Sequence, residues 1–191
     1  MKKYHLFLAL IAILLMVACG SYYSLVRQTT PTAGLNQYGT ISVGWLSLDE
    51  TKWKEYGFEE KDKGKWETLV LDLNQKSLTQ FLKDFAPGKT ILMVNSKTEE
   101  PKNEGLVVKF TDVVYNQRTS TGAQVMFGSF AGSDTLDLTI HFIDGQSGQE
   151  LDAATVSLQS KAGTGYSQWG FEGRVTNSVY NLARYISERV K

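Results

Sequence analysis

The order of elements predicted along the chain is strand, helix, several strands and helix. This order indicates an α+β fold, with a mixed, mainly antiparallel sheet and two principal helices packed on it. In the segment TLDLTIHFID, the apolar residues Leu136, Leu138, Ile140 and Phe142 alternate with the polar residues Asp137, Thr139 and His141, which is typical of a strand with one face in water. Near the end of the chain, apolar residues recur at helical spacing, namely Val175, Val179, Leu182, Ile186 and Val190.

The first elements of the domain are a strand and a helix. TISVGWLSL is apolar on both faces, which predicts a central strand. In the segment that follows, Leu69, Leu71 and Leu73 alternate as in a strand. A helix face also fits this segment, with the residues Trp66, Leu69, Val70 and Leu73. We favour a helix over most of residues 65–86, broken near Asn74 and stopped by Pro87 and Gly88, and the strand alternative stays open.

Later segments predict further strands. KTILMVNS, GLVVKFTDVVYNQ and QVMFGSF are short apolar or alternating runs. TLDLTIHFID, the turn DGQSGQ and ELDAATVSLQ together predict an antiparallel hairpin. The amphipathic segment at the end of the chain then predicts a helix that packs on the sheet.

The chain begins with the features of a secretory signal. Lys2 and Lys3 precede an apolar run from Leu6 to Val17, followed by the small residue Ala18. The run has about a dozen residues, whereas a helix that crosses the hydrocarbon needs roughly 20. This segment therefore predicts a signal peptide and not a stable membrane span.

Cys19, the only cysteine, follows that segment directly. The segment MVAC resembles a bacterial lipobox, which implies that Cys19 becomes the lipidated N-terminus after cleavage. Acylation would also remove an unpaired thiol from an oxidising compartment. By resemblance to sorted lipoproteins, Gly20 after the cysteine implies transfer to the outer membrane. We therefore predict a lipid-anchored protein at the periplasmic face of the cell outer membrane.

These observations divide the chain into three parts. Residues 1–18 are the predicted lipoprotein signal peptide. Residues 19–39 are the lipidated cysteine and a flexible tether, because the segment is rich in Ser, Thr, Gln, Asn and Gly and shows no sustained period. Residues 40–191 have no interdomain linker and no internal repeat, which predicts a single α+β domain.

Charge and composition exclude several kinds of partner and site. The chain has 20 basic and 20 acidic residues, so it lacks the electrostatic signature of a nucleic-acid-binding protein. His5 lies in the signal, so His141 is the one histidine of the predicted mature chain, and no site with two histidine ligands can form. We expect His141 to be a solvated residue on the wet strand face. We predict no metal and no cofactor.

No catalytic motif is present in the sequence. GSFAG places its serine wrongly for a nucleophile elbow, and AGTGYSQWGFEG lacks the lysine and the strand–helix setting of a phosphate loop. DGQSGQE carries Asp144 and Glu150, but a calcium loop uses more carboxylates at alternate positions. We therefore assign no catalytic residue and expect a protein that is not an enzyme.

Several segments together resemble a known family. The lipobox, YGTISVGWLSL, GLVVKFTDVVY and LTIHFIDGQSGQEL before an amphipathic terminal helix are similar to bacterial envelope lipoproteins that share a layered domain without an assigned function. The resemblance implies an envelope protein and transfers no residue role to this chain. The resemblance also implies that related domains of this general shape recur in periplasmic parts of envelope machines, such as the curli secretion lipoprotein and the N-terminal domain of the Tol translocation protein.

The predicted function is a lipid-anchored envelope protein with a non-catalytic, protein-binding or assembly role, whose membrane contact is the lipid on Cys19. The alternative is a glycan-binding module in which aromatic side chains stack on sugar rings. Its candidate ligand-facing residues are Trp53, Tyr56, Trp66 and Trp169. A hydrolase with an unrecognised site has the least support.

Overall fold

The computed structural model describes residues 23–28, 34–49, 52, 56, 59–117, 134–160 and 171–191. These residues form a six-stranded sheet whose strands are β1 Tyr23–Gln28, β2 Thr40–Val43, β3 Thr90–Met93, β4 Leu106–Asn116, β5 Asp134–Asp144 and β6 Glu150–Ser160. The helices are α1 Lys63–Asp72, α2 Thr79–Phe85 and α3 Phe171–Val190, and a π-helical segment, Leu73–Leu78, joins α1 to α2. Short 3-10 turns lie at Leu35–Gln37 and Glu60–Asp62.

The strand order in the sheet is β1-β6-β5-β4-β2-β3. β6 pairs antiparallel with β1 and β5, and β5 pairs antiparallel with β4. β2 pairs parallel with both of its neighbours, β3 and β4. The connection from β2 to β3 contains α1 and α2, as a parallel pair requires a long crossover. The predicted α+β class, a mixed sheet with two principal helical elements, is confirmed.

The core lies between the sheet and the helices. The four alternating apolar residues of β5, namely Leu136, Leu138, Ile140 and Phe142, are at most 1% exposed, and so are all five apolar residues of the predicted stripe on α3. Burial of a leucine-sized side chain contributes about 1.5–3 kcal/mol to stability. The predictions of a half-buried β5 and of a terminal helix packed on the core are both confirmed.

The helix predicted over residues 65–86 is present as α1, the π-helical segment and α2, and it runs from residue 63 to residue 85. The strand alternative for Leu69, Leu71 and Leu73 is wrong. The predicted break near Asn74 is a π-helical turn in a continuous helix. Asn74 is fully buried; its Oδ1 accepts the Leu46 N–H at 2.7 Å, and its Nδ2 donates to the Leu46 carbonyl at 3.0 Å. The side-chain amide thus provides hydrogen-bond partners for the Leu46 N–H and carbonyl, just beyond the end of β2. That strand ends at Val43 and not at Leu48 as predicted.

Part of the predicted tether is ordered. Tyr23–Gln28 forms β1 and pairs antiparallel with β6, and Leu35 is buried in the core. The prediction of a flexible segment over residues 19–39 is therefore wrong for these positions. The composition argument missed the strand because an edge strand is held by backbone hydrogen bonds to its neighbour and needs little apolar surface. The predicted strand QVMFGSF lies outside the described residues.

Gly105 sets the close approach of β2 and β4. Its φ is +66°, and a Cβ atom there would lie 2.3 Å from the Thr40 carbonyl oxygen. Only glycine fits this backbone without strain.

Among the described residues, no helix combines the length and the apolar character that crossing a bilayer requires.

Candidate functional site

The two faces of strands β4, β5 and β6 differ in their exposure. On β5, the residues that alternate with the buried apolar set, among them Asp137, Thr139 and His141, are only partly buried. On β6, Thr155 and Ser157 are partly buried in the same way. Because successive side chains point to opposite faces of a strand, these polar residues lie on the face away from the core. We call this surface the open polar face; its residues are Thr111, Asp112, Asn116, Asp137, Thr139, His141, Glu150, Thr155 and Ser157.

A chain of hydrogen bonds crosses this face through His141. The Nε2 atom of His141 lies 2.9 Å from the Thr111 hydroxyl, and its Nδ1 atom lies 2.6 Å from a carboxylate oxygen of Glu150. The register creates this arrangement, since Lys109 of β4 pairs with His141 of β5 and Thr111 is the next residue on the same side of β4. The imidazole is therefore held at both nitrogens by residues from two neighbouring strands.

A β-bulge lies beside this group. The pairing of β4 with β5 shifts register between Thr111 and Val114, and Asp112 within the shift has a φ of 52°. A residue other than glycine in this region is uncommon and stores strain. The Asp112 carboxylate lies 3.4 Å from the hydroxyls of both Thr111 and Thr139.

A second hydrogen-bonded group lies further along the same face. The Asp137 carboxylate accepts hydrogen bonds from the Asn116 amide at 2.6 Å and from the Ser157 hydroxyl at 2.5 Å. The group therefore joins β4, β5 and β6, and a contact of 3.1 Å between the hydroxyls of Thr139 and Thr155 adds a further link between β5 and β6. Hydrogen bonds thus fix polar side chains on all three strands.

The charge of the open polar face is predominantly negative. Within the described part of the chain, no lysine or arginine forms an ion pair with Asp112, Asp137 or Glu150. Lys109, which lies at the margin of the face, pairs with Glu100 at 2.6 Å. The described residues contain no group of three or more potential side-chain ligands that could hold a metal ion.

Two of the four aromatic residues predicted to face a ligand do not do so. Tyr56 is 6% exposed and Trp66 is 3% exposed. The rings of Tyr56 and Trp66 stack at 5.7 Å, and that of Tyr56 stacks on Phe171 at 4.8 Å. These rings pack between the sheet and the first turns of α1 and α3. They therefore stabilise the core and cannot stack on a sugar. Trp53, Trp169 and Cys19 lie outside the described residues.

The Asp144 carboxylate in the β5–β6 turn has a structural role. Asp144 accepts a hydrogen bond from the Tyr38 hydroxyl at 2.5 Å and others from the Ser147 N–H and hydroxyl at 2.7 and 2.8 Å. These donors, the Tyr38 hydroxyl first, lower the pKa of Asp144 to about 2. The carboxylate closes the turn of the hairpin and is already satisfied by protein donors.

A buried ionic group ties α3 to the sheet. Asp134 is fully buried and accepts hydrogen bonds from the Arg174 Nε at 2.5 Å and from the Tyr115 hydroxyl at 2.9 Å. Burial, followed by the negative charge of Asp134, raises the pKa of Tyr115. At the other end of α3, Arg189 binds the buried Asp152. Both pairs lie on the covered side of the sheet and hold the helix in place.

One groove of about 380 Å³ lies at the start of α1 and α3. It is lined by Gly64, Lys65, Thr68, Leu69, Asp72 and Glu172. The Lys65 side chain is directed to Asp62, which it contacts at 2.8 Å, and Asp72 pairs with Lys76 at the same distance. Lys65 and Asp72 are therefore already paired with residues near them in the chain.

Sequence reasoning located the polar side of β5 but missed the groups that surround His141. The partners come from the pairing register and from the bulge in β4, and strand periodicity alone does not reveal either. The signal available in the sequence was the polar alternation itself, which placed Asp137, Thr139 and His141 on one face.

Comparison with known proteins gives only distant similarity. No protein-family model and no curated protein sequence matches the chain. A PelC dodecamer from Paraburkholderia phytofirmans is 15% identical, with 84% of this chain and 94% of that chain covered and a TM-score of 0.43. A single-substitution variant of the same dodecamer is 14% identical, with 82% and 92% covered and a TM-score of 0.42. A protein described as a neuraminyllactose-binding hemagglutinin homolog from Helicobacter pylori is 10% identical, with 85% and 88% covered and a TM-score of 0.38.

Proposed function

We propose that this protein is a lipid-anchored protein of the cell envelope that binds another protein through its open polar face. The observation that carries the proposal is the hydrogen-bonded order of that face across three strands. Ordering a flexible side chain at an interface costs about 0.5–1.5 kcal/mol, so side chains that are already fixed bind a partner with a smaller entropy loss.

The chemistry of the face favours a polar interface. Hydroxyl, amide, imidazole and carboxylate groups stand close together on β4, β5 and β6, and protein interfaces typically form about one hydrogen bond per 100–200 Å². The exposed large apolar residues of the described chain are Leu25, Leu71 and Val114, which lie on three different elements. They do not favour a large apolar docking patch.

The lipid anchor rests on the sequence. Cleavage before Cys19 and acylation of that residue would hold the domain at the periplasmic side of the outer membrane, because two or three acyl chains give durable attachment. Mass spectrometry of the purified N-terminus tests this proposal, and we expect acylated Cys19 as the first residue. A Cys19→Ala variant should remain an uncleaved precursor, and a mature wild-type chain that begins elsewhere would overturn the proposal.

Photocross-linking in intact cells tests the binding surface. A photoreactive amino acid replaces Thr155 at the centre of the open polar face or, as a matched control, the exposed Glu67 on α1. We expect a discrete protein adduct from position 155 and none of that mass from position 67. No adduct from position 155, or the same adducts from both positions, would contradict the proposal. An adduct that carries glycan and no second polypeptide would favour the glycan-binding alternative.

A further inference from the structure

The Thr111 hydroxyl has an environment unlike that of the other hydroxyls on the open polar face. The hydroxyls of Thr139, Thr155 and Ser157 contact other hydroxyls or carboxylates. Thr111 contacts a histidine nitrogen at 2.9 Å, and the second nitrogen of that ring is 2.6 Å from the Glu150 carboxylate. Hydroxyl, imidazole and carboxylate in this order form the arrangement that activates a nucleophilic hydroxyl.

The positions of the protons follow from the donors and acceptors. An ionised Glu150 only accepts, so with a neutral imidazole Nδ1 must carry the proton of the 2.6 Å bond. Nε2 is then bare, and it accepts the Thr111 hydroxyl hydrogen. The alternative acceptor for that hydrogen, the Asp112 carboxylate, is further away at 3.4 Å. Glu150 therefore fixes the tautomer in which His141 acts as a base toward Thr111.

Backbone geometry provides a second observation at the same point. Asp112, which follows Thr111, has a φ of 52°, and the register shift of the bulge begins at Thr111. Bulges often re-aim a side chain and are over-represented beside active sites, where residues with unusual φ also cluster. Thr111 is itself exposed, so a reagent in solvent can reach its oxygen.

From this geometry we infer that Thr111 is a base-activated nucleophile that takes up an acyl group from an activated ester. The Thr111 oxygen forms a bond to the acyl carbon while His141 Nε2 takes the hydroxyl proton. The bond from the acyl carbon to the leaving oxygen then breaks, and His141 returns the proton to the leaving group. The products are an ester on Thr111 and a free alcohol, with no oxidant or further reactant. Glu150 acts as a positioning residue for the imidazole. The inference goes beyond partner binding and does not depend on it.

The test uses p-nitrophenyl acetate with the full chain purified in detergent. Release of p-nitrophenol gives the rate, and peptide mass spectrometry locates the acetyl group. We expect acetylation of Thr111, and we expect His141→Gln to slow it by about 10²- to 10⁴-fold, the usual contribution of a general base. Thr111→Val should abolish the adduct, whereas Thr111→Ser should keep it. The matched control Thr68→Val removes an exposed hydroxyl of α1 that lies outside the open polar face and donates to the Gly64 carbonyl within the helix, and it should leave the rate unchanged.

Glu150 is tested by a conservative pair of variants. Glu150→Gln should slow acetylation of Thr111, and Glu150→Asp should restore part of the rate because it keeps a carboxylate near Nδ1. A purely structural role would give the two variants the same rate. If Thr111 were acetylated no faster than Thr155, the inference would be overturned. The same would follow if His141→Gln left the rate of Thr111 acetylation unchanged. Circular dichroism of each variant confirms that the compared chains are folded.

Discussion

The two faces of strands β4, β5 and β6 are held in order by different forces. On the covered face, apolar side chains pack against α3, and ion pairs to the buried carboxylates of Asp134 and Asp152 fix both ends of that helix. On the open polar face, the order comes from hydrogen bonds between partly exposed side chains. Burial supplies most folding free energy, whereas polar contacts in water contribute little. The covered face therefore accounts for stability, whereas the side chains of the open polar face are available for binding.

The largest loss of stability is expected when the buried ion pair on the covered face is removed. Arg174→Met leaves the Asp134 carboxylate buried without its cation, which should lower the free energy of unfolding by about 3–5 kcal/mol. Arg184→Met is the matched control, because Arg184 pairs with Glu188 on the partly exposed side of the same helix. Its change should be about 0–1 kcal/mol in urea unfolding. Equal losses for the two variants would contradict the assignment of Arg174 to the core.

A substitution in the apolar stripe of α3 should give the next largest loss of stability. Leu182 is fully buried, so Leu182→Ala should destabilise the protein by about 2–5 kcal/mol through lost burial and a cavity. Arg184→Ala, off the stripe, should change the thermal midpoint only slightly. If Leu182→Ala left the midpoint unchanged and weakened only an interaction with another protein, the helix would belong to the binding surface and not to the core.

Acid should weaken the β5–β6 hairpin, whose turn contains Asp144. The folded pKa of Asp144 is about 2, below its ordinary value of 3.8, so its contribution to stability is present above about pH 4 and is lost as the pH falls toward 2. Tyr38→Phe removes the largest cause of that shift and should reduce the fall in stability over this window. Denaturant unfolding between pH 2 and 5 measures the difference. An identical pH profile for wild type and Tyr38→Phe would contradict the assigned role of the Tyr38 hydroxyl.

The smallest loss of stability is expected for substitutions on the open polar face. Thr155→Val and Ser157→Ala remove hydroxyls from its networks and should change the free energy of unfolding by about 0.5 kcal/mol or less. Urea unfolding gives this value directly. A loss comparable to that of Leu182→Ala would show that the networks hold the fold together, and the contrast between the two faces would then fail.

A structural feature could be predicted from the sequence when it depends on one segment of the chain and not on contacts between distant segments. The alternation in β5 and the spacing of apolar residues in α3 determine which side chains are buried, because strand and helix periods are properties of one segment. The contacts of His141 depend on the pairing of β4 with β5, and the buried position of Asn74 in the π-helical turn depends on its hydrogen bonds with the backbone of Leu46. The positions of Tyr56 and Trp66 likewise depend on Phe171, which is far away in the chain. Local patterns do not encode such long-range pairings, so the sequence predicted the open polar face but not its networks.

Carboxylate footprinting tests whether the open polar face is the binding surface. A carbodiimide and an amine label exposed carboxylates in intact envelopes and in the purified protein, and mass spectrometry compares the two samples. We expect Asp112 and Glu150, exposed on the open polar face, to be protected in the envelope. The exposed Glu67 on α1 and Glu188 on α3 should be labelled equally in both samples. Equal labelling of Asp112 and Glu150 in both samples, or protection confined to Glu67 and Glu188, would contradict the claim.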